Sequence, residues 1–200
     1  MTNISEGQGK IQRTTIVAIV AALALIAIVV VVIILVSSKT KTVTAEDFDP
    51  MKNYVATIVT DKGDITIDLY ADVAPQTVKN FIKLAADGFY DGLTFHRVIA
   101  GFVAQGGDPA GDGSGGPGYT IEAEISDLKH LEGTVATARQ GDQVNPERRS
   151  SGSQFYICLA PQPHLDDQYT IFGQVTDGMD IVLRIVQGDV MRKVTVAEKK

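Results

Sequence analysis

The chain is poor in the residues that build covalent cross-links and metal clusters. Its 200 residues include one cysteine, Cys158, and three histidines. A single thiol cannot form an internal disulfide or a cysteine-rich zinc site. The histidines stand at positions 96, 130 and 164, too far apart to form the short-spaced pairs that zinc sites use. We therefore expect no metal site, with one histidine in a functional site and two at the surface or at a rim.

Positive charge is also scarce in most of the chain. The whole sequence has 18 Lys and Arg against 24 Asp and Glu, a net charge of −6. Four of the basic residues and one acidic residue lie in the first 45, so residues 46–200 carry 14 basic and 23 acidic side chains. An acidic surface repels the phosphate backbone of nucleic acids. The composition therefore argues against nucleic acid binding through a basic face.

One segment near the N-terminus lacks polar side chains altogether. Residues 16–36 are 21 consecutive Ile, Val, Ala and Leu residues. A helix of this length spans about 30 Å, the thickness of the hydrocarbon core of a bilayer. We predict a transmembrane helix at 16–36 after a short tail at 1–15. The alternative is a cleaved signal peptide, whose apolar region usually has about 7–15 residues and ends at a small-residue cleavage site.

The charges beside this segment leave its orientation open. Lys10 and Arg13 precede it, and Lys39 and Lys41 follow it, so the count of positive residues is nearly balanced. The short basic tail nevertheless resembles the start of an export signal. We therefore expect the tail in the cytoplasm and the rest of the chain outside, in a single-pass protein of the cell membrane.

A polar linker is predicted at 37–53, followed by a folded domain at 54–197, a usual size for one core. Strands are predicted at 54–59 and at 64–70, where apolar and polar side chains alternate. Short apolar runs that alternate with glycine-rich turns predict further strands at 94–99, 102–105, 133–138, 154–159 and 170–175. Helices are predicted after Pro75, ending at Gly88, and from Met179 to Gly188. Many short strands with only two helices favour a closed antiparallel barrel capped by helices.

The most informative motif lies at residues 95–108. It reads Phe-His-Arg-Val-Ile at 95–99 and Phe-Val-Ala-Gln-Gly-Gly-Asp at 102–108. On neighbouring strands, Arg97 and Gln105 can both project beside Phe102 from an apolar surface. Spacing alone leaves two interpretations of Arg97 open, a functional cation or a partner in an ion pair across the barrel.

These motifs resemble the signature of the cyclophilins, a family of peptidyl-prolyl cis-trans isomerases with a barrel fold. The segments 153–157, Ser-Gln-Phe-Tyr-Ile, and 164–175 are similar to later family motifs, in the same order. The resemblance covers residues 54–197. It implies a mainly β fold, an eight-stranded closed antiparallel barrel capped by two helices, here preceded by the predicted transmembrane helix. It also implies an enzyme that accelerates rotation about X-Pro peptide bonds without a metal or another cofactor.

The resemblance implies roles for individual residues and partners as well. The catalytic arginine of the family falls on Arg97. Substrate-binding positions of the family fall on His96, Phe102, Val103, Gln105, Ala138, Arg139, Gln154, Tyr156, Leu165, Tyr169 and Phe172. The expected partners are proline-containing polypeptides, among them exported proteins in need of folding, and the membrane through residues 16–36. The alternative function is a cyclophilin-like module that binds proline-containing segments with little or no turnover.

Some positions depart from the family pattern. Tyr156 replaces a pocket phenylalanine, and His164 stands where many eukaryotic members have tryptophan. An indole offers a larger apolar face than an imidazole, together with an N–H donor. We therefore expect this chain to bind cyclosporin only weakly.

Overall fold

The structure is a computed structural model that describes residues 42–199. The strands are β1 (Tyr54–Thr60), β2 (Gly63–Leu69), β3 (Arg97–Ile99), β4 (Val103–Gly106), β5 (Thr120–Ile121), β6 (Thr134–Thr137), β7 (Ser150–Ser151), β8 (Phe155–Cys158), β9 (Ile171–Asp177) and β10 (Met191–Glu198). The helices are α1 (Pro75–Ala86) and α2 (Met179–Val182), and a 3-10 turn covers Pro163–Leu165.

Eight strands form one curled antiparallel sheet, in the order β10-β1-β2-β9-β6-β8-β4-β3, and β5 pairs separately with β7. Among the described residues, the edge strands β3 and β10 do not pair, so the prediction of a closed barrel is wrong and the sheet is a half-barrel. The chain before β3 instead meets residues 188–191, which lead into β10, through individual backbone hydrogen bonds, such as those from Gly92 N–H to Met191 O at 2.8 Å and from Phe95 N–H to Asp189 O at 2.9 Å. Because β3 has three residues and only an isolated bridge joins Thr94 to Val190, no continuous ladder closes the sheet.

The first hairpin follows directly from the residue pattern. β1 and β2 pair throughout, with Thr60 opposite Gly63 at the turn. The Thr60 hydroxyl donates a hydrogen bond to Gly63 O at 2.8 Å, which closes the turn. Ile65 and Ile67 alternate with polar residues and are buried. The strands and the turn expected from the sequence are therefore confirmed.

Helix α1 packs its apolar stripe into the concave side of the sheet. Val78, Phe81 and Ile82 are buried, and the Phe81 ring lies 5.8 Å from that of Phe155 on β8. The helix has no side-chain cap of its own. The Glu124 carboxylate instead accepts hydrogen bonds from two backbone N–H groups in the first turn of α1, at 3.0 and 2.8 Å. A negative charge at this end of a helix also interacts favourably with the helix dipole.

The second predicted helix is present but shorter than expected. Helix α2 ends at Val182, whereas the apolar spacing predicted a helix that continues to Gly188. Leu183 and Val186 are more than half exposed. The Val186 N–H donates to the Asp189 carboxylate at 2.8 Å, which gives this segment a turn in place of another helical turn.

The residues just before β1 pack onto the domain. The Val43 N–H donates to Val196 O on β10 at 3.0 Å, and the Phe48 ring stacks on Tyr54 at 5.6 Å. The second half of the predicted linker thus carries ordered contacts. No helix within residues 42–199 has the length and apolar character needed to cross a membrane. The predicted span at 16–36 lies outside the described residues.

Candidate active site

The site is built on the antiparallel pair β3–β4. Arg97 and Gln105 are direct cross-strand partners, so their side chains emerge on the same face of the sheet. The Arg97 Nη1 donates to Gln105 Oε1 at 3.2 Å, and the guanidinium lies over the Phe102 ring, 5.4 Å from its centroid. Arg97 is exposed, and no carboxylate among residues 42–199 forms an ion pair with it. The interpretation of Arg97 as half of a buried ion pair is therefore wrong.

A cavity lined by both polar and apolar side chains opens beside this pair. It has a volume of about 260 Å³ and is lined by Arg97, Phe102, Val103, Gln105, Ala138, Arg139, Tyr156, Leu165 and Tyr169. Nine of the twelve residues expected in the site thus surround one space. Val103, Tyr156 and Leu165 belong to a small buried cluster of their own, separate from the main core. A space of this volume is large enough to admit a small side-chain ring.

Polar groups form a row along one side of the cavity. Gln105 Nε2 donates to Gln154 Oε1 at 3.0 Å. Gln154 Nε2 in turn donates to the carbonyls of Gly113 and Gly115, at 2.9 and 2.8 Å. The row runs from Arg97 to residues 111–118, a glycine-rich loop. Each member has its orientation set by the next, which pre-organises the groups for a ligand at the cavity mouth.

The glycine-rich loop is organised mainly by the Asp108 carboxylate. Asp108 accepts hydrogen bonds from the backbone N–H groups of Ala110, Asp112 and Gly113. A side chain at Gly115 could not be accommodated, because its Cβ would lie 2.1 Å from the Asp108 carboxylate. The glycines of this loop therefore serve a compact turn around Asp108.

Arg139 forms a wall of the cavity. Its guanidinium lies over the Tyr169 ring at 4.8 Å, donates to Gln168 O at 3.2 Å, and pairs with Asp142 at 2.5 Å. Its side chain is only 5% exposed. The N–H of the preceding Ala138 already donates to Gln154 O at 2.9 Å, so that group is not free for a ligand.

Three of the expected site residues do not line the cavity. Phe172 lies in the main core, with its ring 5.5 Å from that of Phe81, and its neighbour Ile171 joins the cavity cluster instead. The reason is strand alternation, which turns successive residues to opposite faces. Gln154 does not line this cavity but accepts a hydrogen bond from Gln105, which does. His96 is buried, and neither of its ring nitrogens has a hydrogen-bond partner in the described part of the chain; burial lowers its pKa.

A second cavity adjoins the first. It has a volume of about 650 Å³, shares Gln105, Ala138 and Arg139 with the first cavity, and extends past Tyr119 and Arg149. The shared residues form the boundary between the two.

The sequence analysis missed a buried histidine beneath the cavity. His130 was expected at the surface or at a rim, but its side chain is fully buried, so that expectation is wrong. It contacts Asp166 at 3.0 Å and the Tyr156 hydroxyl at 3.0 Å. One signal could have revealed it, because a tyrosine in place of a pocket phenylalanine brings a buried hydroxyl that needs a partner.

An antiparallel half-barrel with an arginine and a glutamine beside a cavity agrees with the cyclophilin resemblance of the sequence motifs. The family described as "Cyclophilin type peptidyl-prolyl cis-trans isomerase/CLD" matches residues 55–199. The chain therefore belongs to the cyclophilin-type peptidyl-prolyl cis-trans isomerase family and is an enzyme of that class.

Individual relatives agree with this assignment. A peptidyl-prolyl cis-trans isomerase of Helicobacter pylori is 45% identical over 77% of this chain and 93% of its own length. Peptidyl-prolyl cis-trans isomerase B of Bacillus subtilis is 48% identical over 70% of this chain and 94% of its own. A crystal structure of a Cryptosporidium parvum cyclophilin type isomerase superposes with a TM-score of 0.62 at 29% identity, covering 74% of this chain and 98% of that one. The same organism's isomerase has also been crystallised in the presence of the dipeptide Ala-Pro.

Proposed function

We propose that the enzyme binds the proline ring of an X-Pro bond in the cavity of about 260 Å³ and that Arg97 is its catalytic residue. Rotation about an X-Pro bond faces a barrier of about 18–20 kcal/mol, caused by resonance in the C–N bond. The reaction needs no covalent intermediate. It needs a site that binds the twisted amide more tightly than either planar form.

Arg97 is suited to this task by its chemistry and its position. Twisting the amide localises a lone pair on the prolyl nitrogen, and a guanidinium, which stays charged at any working pH, can donate a hydrogen bond to it. This bond strengthens only as the lone pair appears, so it lowers the barrier. Gln105 holds Nη1 at 3.2 Å, which reduces the reorganisation that the guanidinium would otherwise undergo.

The observation that carries this proposal is the Arg97–Gln105 pair beside the apolar side chains of Phe102, Val103 and Leu165 in one cavity. The test is NMR exchange spectroscopy, which measures the rate of cis-trans interconversion of an Ala-Pro-containing peptide in the presence of the full-length protein. We expect cis-trans exchange to be accelerated and the resonances of Val103 and Leu165 to shift on binding. Binding with the same shifts but without accelerated exchange would favour the alternative, a module that docks proline-containing segments.

We also propose that residues 16–36 anchor the enzyme in the cell membrane and that its substrates are exported proteins. Support comes from the length of the apolar run, 21 residues, which matches a bilayer core, and from the short basic tail before it. Protease treatment of spheroplasts should digest the catalytic domain. Protection of the domain until lysis would reverse the topology, and a mature N-terminus just after residue 36 would replace the anchor with a cleaved signal peptide.

A further inference from the structure

His130 lies behind the residues that line the cavity and is not itself one of them. Its side chain is fully buried, and its two ring nitrogens reach different walls of the cavity. Nδ1 lies 3.0 Å from Asp166 Oδ1, and Nε2 lies 3.0 Å from the Tyr156 hydroxyl. Tyr156 on β8 lines the cavity, and Asp166 directly follows the lining residue Leu165. One imidazole therefore joins a strand to the 3-10 turn across the base of the cavity.

The chemistry of the three groups assigns the protons. The hydrogen bond from the His130 backbone N–H holds the pKa of the Asp166 carboxyl below its usual range, so Asp166 is a carboxylate that can only accept. Nδ1 must therefore carry a hydrogen. Burial lowers the pKa of His130, which favours the neutral ring, and its Nε2 then accepts a hydrogen bond from the Tyr156 hydroxyl.

The backbone of His130 adds further ties. The Gln162 N–H, at the start of the 3-10 turn, donates to His130 O at 2.7 Å. The Gln162 side chain donates to Gly101 O at 2.8 Å, next to Phe102. The His130 ring also lies edge-on to Tyr169, at 6.4 Å and 84°. Tyr156 and Tyr169 thus contact this histidine directly, and Leu165 and Phe102 are each next in sequence to a residue of its hydrogen-bond network, Asp166 and Gly101.

We propose that His130 is a positioning residue that holds the proline cavity in its binding-competent shape through Tyr156 and Asp166. The hydroxyl of Tyr156 points away from the ligand space and serves the protein itself. Without this hydrogen-bonded link, Tyr156 and Leu165 can move relative to each other. Binding must then order these side chains, so the affinity for the peptide falls. Within residues 42–199, Arg97 and Gln105 form no hydrogen bond or ring contact with His130, and the backbone pairing of β4 with β8 keeps Gln105 opposite Tyr156. We therefore expect the exchange rate of the bound peptide to change little.

The test measures, by NMR, the Kd of an Ala-Pro-containing peptide and the exchange rate at saturation, for the full-length protein. His130→Leu should raise the Kd about fivefold, the equivalent of one hydrogen bond, and change the saturated exchange rate less than about twofold. In a Tyr156→Phe background, the same substitution should change the Kd less than about twofold, because the link from Tyr156 through His130 to Asp166 is then already broken.

Two further variants cover the case in which His130→Leu fails to fold. Asp166→Asn keeps the side-chain size and one acceptor oxygen but loses the charge assistance, and should raise the Kd about threefold. Tyr156→Phe should also raise the Kd. Thr60→Val is the matched control: it removes another buried hydroxyl hydrogen bond, at 2.8 Å, in the distant hairpin, and should lower the melting temperature without changing the Kd.

This inference rests on the proposed function, and Leu165→Ala separates the two. If Leu165→Ala does not weaken binding, the cavity is not the proline site and the proposed function fails. If Leu165→Ala weakens binding while Asp166→Asn and Tyr156→Phe leave the Kd unchanged, the positioning role of His130 is refuted. Additive effects of His130→Leu and Tyr156→Phe on the Kd would refute it as well.

Discussion

Replacing Gln105 with leucine tests how far the catalytic arginine depends on its neighbour. The substitution keeps the side-chain size but removes the acceptor for Arg97, at 3.2 Å, and the donor to Gln154, at 3.0 Å. A hydrogen bond from a charged donor contributes about 1.5–3 kcal/mol when buried. Because Arg97 is exposed, solvent screening reduces this contribution to about 1 kcal/mol.

Gln105 is also proposed to contact the peptide, which adds a second bond of about 1 kcal/mol. Gln105→Leu should therefore lower kcat/KM between about fivefold and thirtyfold. The assay is peptide exchange by NMR, with thermal melting to show that the variant is folded. Gln174→Leu is the matched control, since Gln174 donates to Glu132 O at 2.9 Å outside the cavity. If Gln105→Leu retains kcat/KM within about twofold of the unmodified protein, the pre-organisation argument is refuted.

Two further predictions concern the histidines. His164 is exposed, and its ring stacks on that of Phe102 at 5.8 Å. His164→Trp should tighten cyclosporin binding about tenfold to a hundredfold, because an indole adds apolar area and a hydrogen-bond donor. An unchanged affinity in calorimetry would contradict the role given to this position. Burial lowers the pKa of both His96 and His130 from their ordinary value of 6.5, so the unfolded chain binds these protons more readily than the folded one. The contribution of these two neutral histidines to the free energy of unfolding is complete above about pH 6.5 and is lost as the pH falls below that value. Urea unfolding between pH 7.5 and pH 5 should show this decline, and a flat profile would contradict it.

The sequence predicted the rim of the site well because the rim depends on local rules. Alternation along two short neighbouring strands is enough to set Arg97 opposite Gln105 and to bring both beside Phe102. The hairpin at residues 60–63 and the buried stripe of α1 also follow from local patterns of turn residues and helical spacing. In each case the partners are close in sequence, so the pattern itself contains the contact.

The features that the sequence analysis misplaced depend on partners far along the chain. Phe172 and Ile171 are both apolar, and only the register of β9 against β6 decides which one turns to the main core. The burial of His130 depends on Tyr156 and Asp166, 26 and 36 residues away. Closure of the sheet depends on whether the irregular chain before β3 can form a ladder with β10. The periodicity of apolar residues in the sequence does not indicate this pairing. Tertiary context decides all three.

The central claim is that Arg97 acts on the twisted amide and contributes little to binding the planar forms. The most direct test is Arg97→Ala, measured as the exchange rate of a saturating Ala-Pro-containing peptide, with the peptide Kd and the melting temperature determined on the same sample. A charge-assisted hydrogen bond of about 1.5–3 kcal/mol, stronger where water is excluded, predicts a loss of at least about tenfold in exchange rate with a much smaller change in Kd. Arg97→Lys should restore little, because an ammonium does not reproduce the planar fork of donors. A folded Arg97→Ala protein that binds the peptide and exchanges it at a near-normal rate would contradict the claim.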